Sequence, residues 1–238
     1  MRFPLRGWSP ARIAAGGRPA MEIAMSAYFA NRRDAGRQLA AALSAHGLQD
    51  PLVLALPRGG VPVALEVAKR LHAPLDVLFV RKIGAPGHEE YGIGALVDGA
   101  SPQIVIDHEM AERVGASKAY IDRTVARELA EIERRRALYR TGPPHPIESR
   151  DVILVDDGIA TGGTVRAALA ALHQARAGHV VLAVPVAPRD VVTALGALCD
   201  EVVCLAMPEP FHAVGMHYVD FDQTSDKEVI ASLAEANA

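Results

Sequence analysis

Cysteine is scarce in these 238 residues: Cys199 and Cys204 are the two. They have neither metal-ligand spacing nor a partner cluster, so they read as buried thiols of a reducing compartment rather than a disulfide or a zinc site. Aromatic residues make up only 5% of the chain, which argues against a base-stacking platform. No excess of positive charge exists either. The formal net charge is −3, which disfavours a broad nucleic-acid footprint. No apolar run is long enough to span a membrane. The glycine loops lack the Gly-Lys-Ser/Thr of a Walker loop and the G-x-G-x-x-G spacing of a dinucleotide fold. What remains is a chain that is 50% hydrophobic, long enough for one soluble domain of good core size with an elaboration.

Residues 151–164 carry the densest chemistry. Val152-Ile153-Leu154-Val155 is a continuous apolar run, β-branched at three of four positions, as in a strand covered on both faces. Asp156 and Asp157 follow at its C-terminal end, then Gly158-Ile159, then Ala160-Thr161-Gly162-Gly163-Thr164. Val165, Ala168, Leu169 and Leu172 predict a helix that stops near Gly178. Gly162 and Gly163 let the backbone approach an anion with no Cβ between them. The helix turns its unpaired N–H groups and positive dipole end toward the same place. Thr161 and Thr164 add hydroxyl donors. Asp156 and Asp157 can accept from ribose hydroxyls or hold Mg²⁺ through water. The set suits a sugar phosphate.

A second cradle lies upstream. Pro51 to Leu56 reads as a buried strand, Pro57-Arg58-Gly59-Gly60 as a turn, and Leu65, Ala68 and Leu71 as the core face of a helix with Pro62 in its first turn. Here the anion site gains the fixed charge of Arg58. Leu75 to Val80 is a third strand, ending in Arg81-Lys82-Ile83-Gly84. Residues 85–97 are rich in Gly, Pro and charge and read as a mobile loop. Ser101 to Asp107 pairs back as a hairpin. Residues 109–140 form one long helix with Ile121, Val125, Leu129 and Ile132 on its apolar side. Arg127 with Glu131, and Glu131 with Arg135, are placed for i,i+4 pairs, and Arg134-Arg135-Arg136 reads as a solvated face. Strands at 180–186 and 201–207, a helix at 190–198, and a terminal helix with a Ser225/Glu228 capping box complete the series.

The stretch from Val152 to Thr164 resembles the phosphoribosyl diphosphate (PRPP) signature of type I phosphoribosyltransferases: four apolar residues, two acids, two apolar residues, then a small Thr/Gly loop. Gly158 departs from it, since an apolar residue is usual there. The resemblance covers roughly residues 26–225. It implies transfer of the ribose 5-phosphate group of PRPP to a nitrogenous base or related nitrogen acceptor, with release of diphosphate and Mg²⁺ as cofactor. By this resemblance Asp156, Asp157, Arg58 and Lys82 serve the chemistry, the two acids holding the ribose hydroxyls and the Mg²⁺ shell. Ala160, Thr161, Gly162, Gly163 and Thr164 hold the 5-phosphate. Arg58, Gly59 and Gly60 hold the diphosphate, in a turn that often contains a non-proline cis peptide. The Arg81-Lys82 start resembles adenine-type members, and residues 85–97 correspond to a flexible loop that closes over the reacting centre. Residues 208–221 resemble the base-recognition segment of oxopurine members, with Phe211 stacking on a ring and the backbone near Val214 reading its edge. Three departures from the oxopurine pattern make hypoxanthine and guanine poor substrates in this reading: Ala160 stands where an acid is usual, Gly163 where a lysine is, and Val186 to Arg189 lacks a lysine.

The expected fold is α/β: a doubly wound, mainly parallel sheet of about five strands with flanking helices, a flexible loop hairpin and a long inserted helix. Residues 1–24, basic and rich in Gly, Pro and Ala, form a disordered or over-extended N-terminus. Residues 25–238 form a single domain with a helical elaboration at 109–140. The resemblance implies a cytoplasmic homodimer of nucleotide salvage, with PRPP and a small nitrogen acceptor as partners and neither nucleic acid nor membrane. A PRPP-sensing regulator without catalysis and an inactive scaffold of the same fold remain as alternatives.

Overall fold

The computed structural model describes residues 12–15, 28–98, 102–139 and 145–238. The chain runs through β1 (Arg12–Ala15), α1 (Arg32–Leu43), β2 (Leu52–Ala55), α2 (Gly60–Leu71) and β3 (Leu75–Val77). An inserted unit follows: β4 (Val80–Ala85), β5 (His88–Val97), β6 (Gln103–Ile106), α3 (His108–Arg113) and α4 (Lys118–Tyr139). Then come β7 (Asp151–Val155), α5 (Gly163–Gln174), β8 (His179–Val186), α6 (Arg189–Gly196) and β9 (Glu201–Ala206). A 3₁₀ turn at Val214–His217 and α7 (Asp226–Ala236) close the chain.

Six strands form one parallel sheet in the order β1-β9-β8-β7-β2-β3. Five of them are the strands that the apolar runs announce. The sixth, β1, pairs with β9 at the edge and falls within the segment expected to stand apart from the domain. The rest of residues 1–24 lies outside the described residues. Side chains alternate between two cores, as period-2 strands require. Val53, Ala55, Ile153 and Val155 meet α1, α2 and α7 on one face. Leu52, Leu54, Val152 and Leu154 meet α5 and α6 on the other. The sheet is therefore doubly wound. Its winding reverses between β2 and β7, which are neighbours in register from Leu52↔Val152 to Ala55↔Val155. Ligands bind at such a switch point, beyond the carboxyl ends of the strands.

The inserted unit differs from its sequence reading in three ways. The third strand stops at Val77, and from Val80 the chain enters a separate antiparallel sheet, β4-β5-β6. Residues 85–97, expected as a loop, are mostly β5, the central strand of that sheet. Ile93, Leu96 and Val97 bury their side chains, so apolar residues between the glycines outweigh them. The single helix expected at 109–140 is two, broken at residues 114–117, where Gly115 takes φ +67°. The apolar face of α4 is as expected, with Ile121, Val125 and Leu129 on a satellite core and Ile132 on the main one. Glu131 pairs with Arg135 at 2.7 Å, but Arg127 pairs with its neighbour Glu128 at 3.0 Å instead of Glu131. Arg136 turns inward to the buried Asp98, while Arg134 stays on the solvated face.

Among the described residues no helix is long and apolar enough to cross a membrane. Cys199 and Cys204 are buried free thiols, each pushed up to about 12 by loss of water around it. The Ser225/Glu228 capping box starts α7 with both reciprocal bonds formed.

Ile132 is wholly buried where the inserted unit docks on the main core. Ile132→Ala should cost about 2–5 kcal/mol, as large-to-small core changes do. Urea unfolding checks this. A loss under about 0.5 kcal/mol, the range of surface substitutions, would mean that α4 is not docked as described.

Candidate active site

Two loops leave the carboxyl ends of β2 and β7 side by side. The first, Pro57-Arg58-Gly59-Gly60, contains a cis peptide between Pro57 and Arg58, the kind of bond that the resemblance leads one to expect in this turn. Gly60 donates its N–H to the Leu56 carbonyl at 3.1 Å, and α2 begins there. The second loop carries Asp156 and Asp157. The loops touch so closely that only glycine fits between them. A Cβ on Gly59 would lie 2.0 Å from Asp157 Oδ2, and one on Gly60 2.8 Å from the Val155 carbonyl oxygen.

Asp157 is fixed on several sides. Its N–H donates to Asp156 Oδ1 at 2.9 Å. Its carbonyl accepts from the Tyr218 hydroxyl at 2.5 Å. Its Oδ2 accepts from Arg32 Nε at 2.7 Å. Burial and the nearby Asp157 charge push the Tyr218 hydroxyl upward, so it remains a donor. The Asp156 carboxyl is held well above the usual carboxylate range, first by loss of water and then by the adjacent Asp157 charge. A cation beside the pair would relieve both costs.

Residues 160–164, expected as a phosphate loop, follow the acid pair. Gly162 caps α5 in a left-handed conformation, φ +77°, which glycine adopts without steric cost. Gly163, where α5 begins, has open space where a Cβ would stand. Thr161, Gly163 and Thr164 line a cavity of about 1080 Å³ together with Lys82, Arg81 and Arg166, on the side of α5 away from Asp156, Asp157, Arg58, Gly59 and Gly60, none of which lines it. The antiparallel sheet roofs that cavity over α5.

The remaining expected residues lie at different places. Arg58 does not face the acid pair in this arrangement, because its guanidinium stands 3.6 Å from Asp226 at the start of α7. Arg81 is held by Glu128 at 2.7 Å on α4. The Phe211 ring lies tilted against His217 with centroids 5.2 Å apart, and His217 in turn meets Tyr28 at 5.6 Å. Burial, and then His212, lowers the His217 pKa. Val214 packs directly over Gly158: a Cβ there would meet Val214 Cγ1 at 2.4 Å and Val186 Cγ1 at 3.1 Å. That contact is the physical reason for glycine where the family signature has an apolar side chain. Arg32 and Tyr218 escape sequence reasoning. Arg32 is 125 residues from Asp157 and sits among other arginines, so no local pattern marks it.

Comparison with known proteins shows the family of the chain. Residues 25–218 match the phosphoribosyl transferase domain family. Proteins from two strains of Mycobacterium tuberculosis, CDC 1551 / Oshkosh and H37Rv, carry provisional phosphoribosyl transferase names. Each is 46% identical over 210 residues, or 88% of this chain and 47% of its own length. The chain thus spans about half the length of the curated relatives it matches. The crystal structure of TT1426 from Thermus thermophilus has 44% sequence identity and a TM-score of 0.75, covering 87% of this chain and 98% of that one. The chain belongs to the phosphoribosyl transferase domain family.

The raised Asp156 carboxyl has a consequence for stability. An acid whose pKa is higher folded than unfolded loses stability as pH climbs from the unfolded value through the folded one, because the folded chain holds the proton more tightly. Asp156→Asn keeps the acceptor for the Asp157 N–H but cannot ionise. In metal-free buffer its melting temperature should exceed that of the wild type at about pH 8, with the gap closing toward about pH 4, near the unperturbed carboxylate value. A thermal-shift series with no gain at the higher pH would contradict the assignment.

Proposed function

We propose that the chain binds PRPP with Mg²⁺ and transfers its ribose 5-phosphate group to a nitrogen acceptor. One observation carries the reading: two glycine-bearing anion loops meet at the switch point of the sheet, with an acid pair held between them. Asp156 and Asp157 would accept from the ribose hydroxyls and the Mg²⁺ water shell. Residues 160–164 would hold the 5-phosphate with backbone N–H groups and the Thr161 and Thr164 hydroxyls. Gly59 and Gly60 would admit the diphosphate to the backbone. Lys82, and Arg58 once turned from Asp226, would neutralise its charge. Val214, packed over Gly158, and Phe211, in the same apolar cluster, would border the acceptor.

The donor set suits Mg²⁺. That ion is bound by one or two carboxylates, with water and phosphate oxygens filling the remaining positions, and this pair needs a counter-charge. Bound Mg²⁺ would offset diphosphate charge as the leaving group departs. The chain's own residues position the reactants and stabilise charge. The C1–oxygen bond breaks with its electron pair going to diphosphate. The acceptor nitrogen supplies the new pair to C1 and sheds its proton. No side chain at the site is assigned as the base.

Two experiments test this. Asp156→Asn with Asp157→Asn should weaken Mg²⁺–PRPP binding by about 100-fold or more, the loss of two charged acceptors. Unchanged affinity by isothermal titration would sink the site. Turnover with adenine, guanine, hypoxanthine, xanthine, uracil and orotate then tests the chemistry. Guanine and hypoxanthine should show kcat/KM about 10²–10⁴-fold below the preferred acceptor, because no acid stands at Ala160 to handle the purine proton. Either of them as the best substrate would overturn that expectation.

A further inference from the structure

No sequence motif includes Arg32, the first residue of α1, yet three parts of the site meet on its side chain. Nε donates to Asp157 Oδ2 at 2.7 Å. NH1 donates to the Asp222 carbonyl at 2.6 Å. The guanidinium carbon lies 3.8 Å from the centroid of the Phe221 ring. The side chain is only 12% exposed, and its Asp157 partner 15%. A planar fork pressed on a ring face has little rotational freedom, so the group it holds is fixed in direction as well as distance.

That direction matters because Asp157 has two oxygens. Oδ2 is used by Arg32 and is the nearer of the two to Gly59, where a Cβ would lie 2.0 Å from Oδ2 and 3.2 Å from Oδ1. Among the described residues no N–H group donates to Oδ1, and Oδ1 is the oxygen that we assign to a ligand. The backbone of Asp157 is pinned separately, its N–H by Asp156 and its carbonyl by Tyr218. Arg32 is therefore the group that sets the orientation of the carboxylate. It also ties that carboxylate to the strip from Tyr218 to Asp222, which runs beside Val214.

We propose that Arg32 is a positioning residue of the PRPP site. It holds Asp157 Oδ2 so that Oδ1 faces the ribose and metal shell, and it couples this acid to the C-terminal strip at Phe221 and Asp222. The inference rests on the PRPP reading above. An ion pair that served stability alone would be a weak contributor, because removing two charges from water offsets most of their attraction.

The test uses the full chain with Arg32→Ala and Arg32→Lys. Isothermal titration with Mg²⁺ and PRPP should give an affinity about 10- to 100-fold lower for Arg32→Ala, the usual loss for a hydrogen bond to a charged group. Arg32→Lys should recover part of it, since an ammonium can reach Asp157 but cannot also stack and bridge to Asp222. Without ligand, amide hydrogen exchange in residues 218–222 should quicken in Arg32→Ala and less so in Arg32→Lys. Wild-type affinity in Arg32→Ala overturns the proposal, and so does unchanged exchange in that strip. Equal losses in both variants that only track their melting temperatures would assign Arg32 to stability and overturn it too. If the wild type itself binds no PRPP while exchange quickens in Arg32→Ala, the PRPP reading fails and the coupling of Arg32 to the strip stands.

Discussion

Parallel pairing of β2 with β7 sets Ala55 beside Val155 and so brings two loops, about a hundred residues apart in sequence, into contact. Every other feature of the site depends on that adjacency. The crossover helices leave on opposite faces, so their N-termini and glycine turns open toward one crevice and no connection blocks it. The closeness is paid for in side chains: Gly59, Gly60 and Gly158 stand where any Cβ would strike the acid pair's segment or Val214. Backbone, not side-chain bulk, borders the space where a charged sugar phosphate would lie.

Electrostatics then sorts the two carboxylates. They are adjacent and half-buried, so both cannot be charged at low cost. Asp157 has Arg32 as a counter-charge. Asp156 accepts the N–H of Asp157, and loss of water followed by the adjacent Asp157 charge holds its pKa well above the usual carboxylate range. A polar hub of Arg32, Asp157 and Tyr218 thereby joins the first helix, the acid loop and the C-terminal strip. The first helix, which no motif marks, becomes part of the site by this route.

The sheet and its winding were legible because buried parallel strands are continuous apolar runs and helices keep a 3.6-residue period. Val152 to Val155 and Leu52 to Leu56 carry that signal directly. The turn after β7 was legible for a related reason: adjacent glycines after a buried strand mark the passage into a helix, and α5 begins at Gly163. The inserted unit was less so. Gly84, Gly87, Gly92 and Gly94 hide the strand character of β4 and β5, whose pairing is set by a satellite core of Ile83, Ile93 and Val125. Contacts made across the fold were not legible at all. Arg32 reaches Asp157, Arg58 meets Asp226, Arg81 meets Glu128, and Val214 fills the space above Gly158. Each depends on tertiary distances that no local pattern encodes.

The central claim is that the crevice between the two loops is a PRPP site organised by Asp156 and Asp157. A crystal structure with PRPP and Mg²⁺ bound tests it most directly. The account predicts ribose hydroxyls within hydrogen-bond distance of both carboxylates, the 5-phosphate on residues 160–164, and the diphosphate against Gly59 and Gly60. PRPP seated elsewhere on the chain, or a crevice left empty at saturating ligand, would contradict it.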